Sequence, residues 1–223
     1  IPVKYRNHLG FIFDSKMNQV PNAELFFKSG KKLVKKSTHE EFAGRDVLVI
    51  GLVGAFNPID EKMVKDYDKL YNHFKDTTII GNPLDASHID EIYFVCMESP
   101  WVMDAWWKKM KIKNCKYLPD ASGAFSYRLD QQGGLSGGQM VVEMYNKGYG
   151  KRSWRYVLLL EDNNQMTYVE EEIPDGAATR DNLEDEPYIL TEPEEVLAFL
   201  RKRQQKGHIE AENRASEDLS RPT

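Results

Sequence analysis

A chain of 223 residues with 41% hydrophobic content suits one generous globular domain, or a domain with appendages, and argues against wholesale disorder. The net charge of −5 offers no general attraction for nucleic acid or an anionic membrane, and no apolar run approaches the roughly 20 residues that cross a bilayer. Cys96 and Cys115 are the only cysteines, too few for a disulfide framework and compatible with a reducing compartment.

In chain order, Ile1 to Asn18 is mixed, with Phe11-Ile12-Phe13 either a short strand or a hook that docks on a neighbour. No signal peptide is visible, and the missing initial methionine leaves room for a leader already removed. Val20 to Phe26 is expected to be extended, because Pro21 biases Val20 away from helix. Lysines and a loop are expected from there to Gly44. Val47 to Val53 is almost continuously apolar and β-branched, the pattern of a strand buried on both faces.

Asn57 then suits a helix cap, Pro58 the first helical position, and Asp60-Glu61 the first turn. Met63, Tyr67, Leu70 and Phe74 form one apolar stripe at helical spacing. Thr77 to Asp90 reads as a loop or a strand-and-loop excursion around Gly81-Asn82-Pro83. Glu91 to Met97 is predicted to be a second strand, Trp101 to Lys111 an aromatic-rich helix, and Tyr117-Leu118 a short strand closed by Pro119-Asp120. Gln131 to Gly138, with four glycines, is expected to be a mobile loop.

Trp154 to Glu161 and Met166 to Glu172 alternate across Asp162-Asn163-Asn164-Gln165, a hairpin pattern. Ile173 to Tyr188 is acidic and irregular. Thr191 is placed as the cap of a last helix packed by Val196, Leu197, Phe199 and Leu200. The chain thus divides into an arm (1–19), a domain (20–200) and a polar tail (201–223). The order of elements predicts an α/β layout with helices on both faces of a mixed sheet.

The chemical motifs are mostly negative. No zinc spacing, P-loop, dinucleotide-binding glycine motif or G-x-S-x-G elbow occurs. His8, His39, His73, His88 and His208 are scattered, so neither a metal nor a cofactor is expected. Lysines cluster at Lys31-Lys32 with Lys35-Lys36 and from Lys108 to Lys116, and are read as solvated faces rather than a phosphate patch.

One family resemblance organises the rest. Val53-Gly54-Ala55-Phe56-Asn57-Pro58-Ile59-Asp60 resembles the active-site segment P-G-A-F-T-P-T-C of the peroxiredoxins, with aspartate at the place of the reactive cysteine. Val20 to Phe26 is similar to the opening I-P-x-x-x-L-F of the type-5 members, particularly bacterial ones, some of which are fused to a glutaredoxin. Trp101 to Trp106 resembles F-V-M-N-A-W, and Leu118 to Phe125 resembles I-P-D-x-x-G-x-F. Gly150 to Tyr156 resembles G-K-R-S-W-R-Y, and Glu186-Pro187-Tyr188 through Leu200 resembles D-P-F followed by a short helix. These segments lie in order over roughly residues 20–200. The resemblance implies a thioredoxin-like fold of peroxiredoxin type. No C-x-x-C of a glutaredoxin module is present.

Carried over residue by residue, the resemblance implies that Asn57 stands for the threonine that orients peroxide. Pro58 is the shielding proline, Asp60 replaces the peroxidatic cysteine, and Arg155 is the arginine that holds the thiolate. Catalysis is therefore not expected, because a carboxylate does not attack the O–O bond. Asp60 and Arg155 are expected either to pair, mimicking the resting thiolate–arginine state, or to be an early-helix acid and an arginine bonded elsewhere. Arginine and the helix N-terminus are expected to hold the Asp60 pKa down, against a general-base role.

Cys96 is expected in the core and Cys115 to be partly buried, with a more reactive, lysine-activated Cys115 as the alternative. Trp101, Trp106 and Trp107 share one helix and are candidate contact residues, in a region that the resemblance implies lies near a dimer surface. The leading reading is an inactive peroxiredoxin-like module with protein partners, in a larger assembly or a homodimer. Nucleic acid and membrane are not expected partners, and a cytoplasmic or assembly-bound location is expected. The alternatives are a residual thiol-dependent redox enzyme using Cys96 or Cys115, and a ligand-binding sensor without turnover.

Overall fold

The computed structural model describes residues 19–75, 89–132, 139–161, 164–172, 179–184 and 186–203. Its centre is a five-stranded mixed sheet. β3 (Val47–Leu52), β4 (Glu91–Cys96) and β5 (Lys116–Pro119) run parallel. β8 (Tyr156–Glu161) pairs antiparallel with β3, and β9 (Gln165–Glu171) antiparallel with β8. β3 and β4 are buried at every position, which explains why both read as unbroken apolar runs.

Alternate side chains of these strands serve two cores. Leu48, Ile50, Ile92 and Phe94 pack against α2 (Pro58–Lys75), α3 (Pro100–Met110) and the helical residues at 193–203. Val47, Val49, Tyr93 and Val95 face the opposite way. They meet Leu25 of β1 (Glu24–Ser29), Phe42 of α1 (Thr38–Phe42) and Leu129 of α4 (Ser126–Gln131). Helices therefore cover both faces of a mixed sheet. This is the α/β layout that the order of elements predicts, and its architecture is the thioredoxin-like one that the resemblance implies.

Several local expectations are corrected. The lysine-rich stretch read as a loop forms the end of β1, all of β2 (Lys32–Ser37) and α1; β1 and β2 make a separate antiparallel hairpin. Its outer strand stands in solvent, so no alternating burial pattern betrayed it. β6 (Val141–Met144) and β7 (Gly150–Ser153) form a second small hairpin that the sequence did not reveal. Trp154 and Arg155 fall between β7 and β8 rather than inside a strand. Thr191 does not cap the last helix. Its hydroxyl donates to Glu172 Oε1 at 2.8 Å, and the Glu192 carbonyl instead accepts the amides of Glu195 and Val196.

The expected hook at Phe11 to Phe13, most of the loop from Thr77, most of the glycine loop and most of the tail lie outside the described residues. Among the described residues, no helix is long and apolar enough to cross a membrane.

Candidate functional site

The site forms where the parallel strands end. Leu52, Cys96 and Pro119 are in register at the C-terminal edge of β3, β4 and β5, the side of an open α/β sheet that usually carries ligands. Beyond Leu52 the chain turns sharply, and Phe56 takes a left-handed conformation at φ 64°. That conformation is costly for a bulky aromatic, and such strain gathers at functional sites. The turn delivers Asn57 to the head of α2, where its Oδ1 accepts the Ile59 amide at 2.9 Å. Pro58 takes the first helical position and needs no amide partner there.

One turn in, Asp60 points back beneath the loop and is fully buried. Its Oδ2 accepts the Gly54 amide at 2.8 Å, and its Oδ1 accepts Arg155 Nη2 at 2.6 Å and Nε at 3.1 Å. Arg155 is also fully buried. The break between β7 and β8 frees its side chain to cross under α2. The expected pair therefore forms, and the alternative of an arginine bonded elsewhere falls away.

The pair is part of a larger network that residue-by-residue reading missed. Arg155 Nη1 donates to the Pro187 carbonyl at 2.8 Å and Nη2 to Glu186 Oε2 at 3.2 Å. The same Glu186 oxygen accepts Asn57 Nδ2 at 2.9 Å, while Glu186 Oε1 takes Lys147 Nζ at 2.9 Å. Two carboxylates thus meet two cations in a closed, charge-balanced cluster. Glu186 lies 129 residues beyond Asn57, so no local spacing could signal the contact. The only trace was the resemblance of Glu186-Pro187-Tyr188 to D-P-F.

The segment carrying Glu186 is strapped along α2. Tyr188 Oη donates to Asp66 at 3.3 Å, Tyr67 Oη donates to the Thr191 carbonyl at 2.8 Å, and Glu172 Oε1 accepts the amides of Ile189 and Thr191.

The electrostatics correct one expectation. Burial pushes the Asp60 carboxyl above its ordinary pKa, because desolvation outweighs Arg155 and the Gly54 amide, and the Glu186 charge adds to the rise. Burial also disfavours charge on Arg155, but Asp60 and Glu186 outweigh it and hold its proton more firmly. Glu186 is buried too, yet Lys147 and Arg155 more than compensate and lower its pKa. Every partner of Asp60 is a donor, so the network is built around its carboxylate form.

Neither thiol is poised for chemistry. Cys96 is fully buried, and burial pushes its pKa well up, with the nearby Asp60 charge adding to the rise. Cys115 is buried and its thiol is likewise pushed up, first by burial and then by Asp68. The lysine-activated alternative for Cys115 does not survive this burial. Of the three candidate contact tryptophans only Trp101 is exposed. Trp106 and Trp107 pack in the core, Trp107 donating to the Cys115 carbonyl at 3.0 Å, because their positions on α3 face the sheet. Among the described residues, no three His, Cys, Asp or Glu side chains group as a metal-holding set.

No family model matches the chain. Relatives are nevertheless clear. The chain is 32% identical over 167 residues to a peroxiredoxin of Rhizobium etli, covering 74% of this chain and 80% of that protein. It is 30% identical over 145 residues to a hybrid peroxiredoxin of Haemophilus influenzae, covering 65% of this chain and 52% of that one. The fold superposes on the Plasmodium falciparum antioxidant protein, a 1-Cys peroxiredoxin, with a TM-score of 0.68 at 25% identity, over 85% of this chain and 99% of that one. Peroxiredoxin 5 from Alvinella pompejana gives a TM-score of 0.56 at 24% identity, over 70% of this chain and 88% of that one.

Proposed function

This chain belongs to the peroxiredoxins, a family of thiol peroxidases, and on that premise we propose that it has lost the peroxidase reaction and serves as a structural or protein-interaction subunit. The observation that carries the proposal is Asp60. It lies at the position that resembles the family's peroxidatic cysteine, and its carboxylate is buried and doubly bonded by Arg155. Peroxide reduction begins when a thiolate attacks one peroxide oxygen and expels the other, leaving a sulfenic acid on the enzyme. A carboxylate cannot take that oxygen.

The surrounding donors add support. Arg155 spends its bonds on Asp60, Glu186 and Pro187, so the group that the resemblance makes the holder of the thiolate is already satisfied. The two remaining thiols are buried and held protonated, which weighs against the redox alternative.

The decisive measurement is hydrogen-peroxide consumption by the purified chain with a dithiol reductant, compared with a Cys96→Ser, Cys115→Ser variant. Background rates for both are expected. Turnover that disappears with the cysteines would restore the enzyme reading. The subunit role is tested by purifying the chain from its native source under mild conditions. Recovery at fixed stoichiometry in a complex supports it, and recovery only as a free monomer overturns it.

A further inference from the structure

The β1–β2 hairpin is the part of the molecule least explained by the peroxiredoxin site. It is separate from the central sheet, and its outer strand is exposed from Lys32 through Lys36. The turn is tight: Gly30, at φ 61°, is the first of two residues linking the paired Ser29 and Lys32. That placement of a left-handed glycine is the arrangement of a type II′ hairpin, which holds the two strands in firm register.

The hairpin face is unusual in composition. Residues 24–37 contain five lysines against one glutamate, in a chain whose net charge is −5. Phe26 is 49% exposed, Leu33 46% and Val34 44%. Phe26 sits opposite Lys35, and Lys28 opposite Leu33, so two apolar and two basic side chains alternate on one surface. The surface continues onto α3, where Trp101 is 45% exposed and Lys28 Nζ lies 5.4 Å from the centre of its ring. Among the described residues no strand pairs with the outer edge of β2, and antiparallel pairing turns the N–H and C=O of every second residue outward there.

We propose that this hairpin is a docking site for an extended acidic segment of a partner protein, which adds as a third strand along β2. The free edge supplies backbone hydrogen bonds, Lys31 and Lys32 supply charge complementarity beyond the pairs Lys28–Asp104, Lys35–Glu24 and Lys36–Glu41, and Phe26, Leu33 and Trp101 receive the partner's apolar side chains. Lysines on an edge strand also discourage like edges from pairing, so they select an acidic partner over a second copy of the same basic edge. Duplex or single-stranded nucleic acid fits less well, because it offers no backbone to continue the sheet and the whole chain is acidic.

This surface gives the proposed interaction role a location and a partner chemistry, and it rests on that role. Its test reads binding, whereas the peroxide assay reads turnover, so either can fail alone. A fluorescein-labelled peptide of alternating glutamate and valine, long enough to span β2, is titrated with the full chain and followed by anisotropy. The expected result is saturable binding that weakens with salt and falls about tenfold or more in the Lys32→Glu, Lys35→Glu variant. A companion peptide with proline at alternate valines should not bind, because it cannot form the ladder.

The variants change exposed positions, and an unchanged urea midpoint confirms their fold. Equal binding of the proline peptide overturns strand addition. No binding of either peptide, indifference to charge reversal, or preference for vesicles containing phosphatidylserine overturns the proposal as a whole.

Discussion

At the scale of single residues, the buried cluster makes strong and opposite demands on its members. Asp60 and Arg155 are both removed from water, and the attraction between them mainly offsets that desolvation. Removing one partner should therefore hurt more than removing both. Asp60→Ala leaves Arg155 with Glu186 as its remaining carboxylate, and the expected loss is roughly 3–5 kcal/mol in urea unfolding. Asp60→Leu combined with Arg155→Met should be less destabilised than that single variant, and a double-mutant cycle checks the coupling.

Asp60→Cys asks a different question. The Gly54 amide, the helix N-terminus and Arg155 all point where the new sulfur would sit. Burial opposes these donors there as it does for Asp60, and the variant should react with peroxide where the parent does not, read as loss of the new thiol on peroxide addition.

The two acids also differ in their pH signature. Glu186 is lowered from an ordinary 4.5, so its contribution is present above that value and is lost as pH falls through its folded pKa. Asp60 is raised, so its linkage runs the other way, favouring the fold at low pH and fading as pH rises through its folded pKa. Comparing wild type with Glu186→Gln in urea from about pH 3 to 7 should show the stability difference shrinking on the acid side.

At the scale of elements, close packing around β3 decides where the site can be. Gly51 lies so near the next strand that an added Cβ would meet the Trp154 carbonyl and the Tyr156 ring, both at 2.4 Å. Neither neighbour is a free-moving tip, so Gly51→Ala should push β3 from β8 and shift Arg155 with it. The expected cost is roughly 1–3 kcal/mol, and the Arg155–Asp60 geometry should loosen, visible as a changed arginine side-chain resonance in nuclear magnetic resonance.

Elements like these explain what could be read from the chain. β3 and β4 were legible because burial on both faces leaves an unbroken apolar run. The head of α2 was legible because Asn57 and Pro58 are each suited to one position. β2 was not, since a strand exposed along its length carries no burial pattern. Arg155 was identified only through resemblance, because its role depends on leaving the ladder between β7 and β8. The roles of Glu186 and Lys147 were not legible for a related reason: they come from tertiary contacts, Glu186 with Asn57 and Lys147 with Glu186, not from neighbours in sequence.

At the scale of the whole molecule, both cysteines sit in the same apolar layer, one at the end of β4 and the other just before β5. Cys96 is covered by the α2 loop and Cys115 by α3 and Asp68, so neither is reached without opening that layer. Titration with an aromatic disulfide reagent should therefore find no rapid thiol in the native chain and two in denaturant. The slow native reaction carries further information. If opening is global, both thiols react at one rate that rises with urea in proportion to the unfolded population. A Cys115 rate that is faster and independent of urea would instead mean that α3 lifts locally from the sheet, carrying Trp101 and the adjoining hairpin face with it. The dense packing of Trp106, Trp107 and Met110 beneath α3 favours the global outcome.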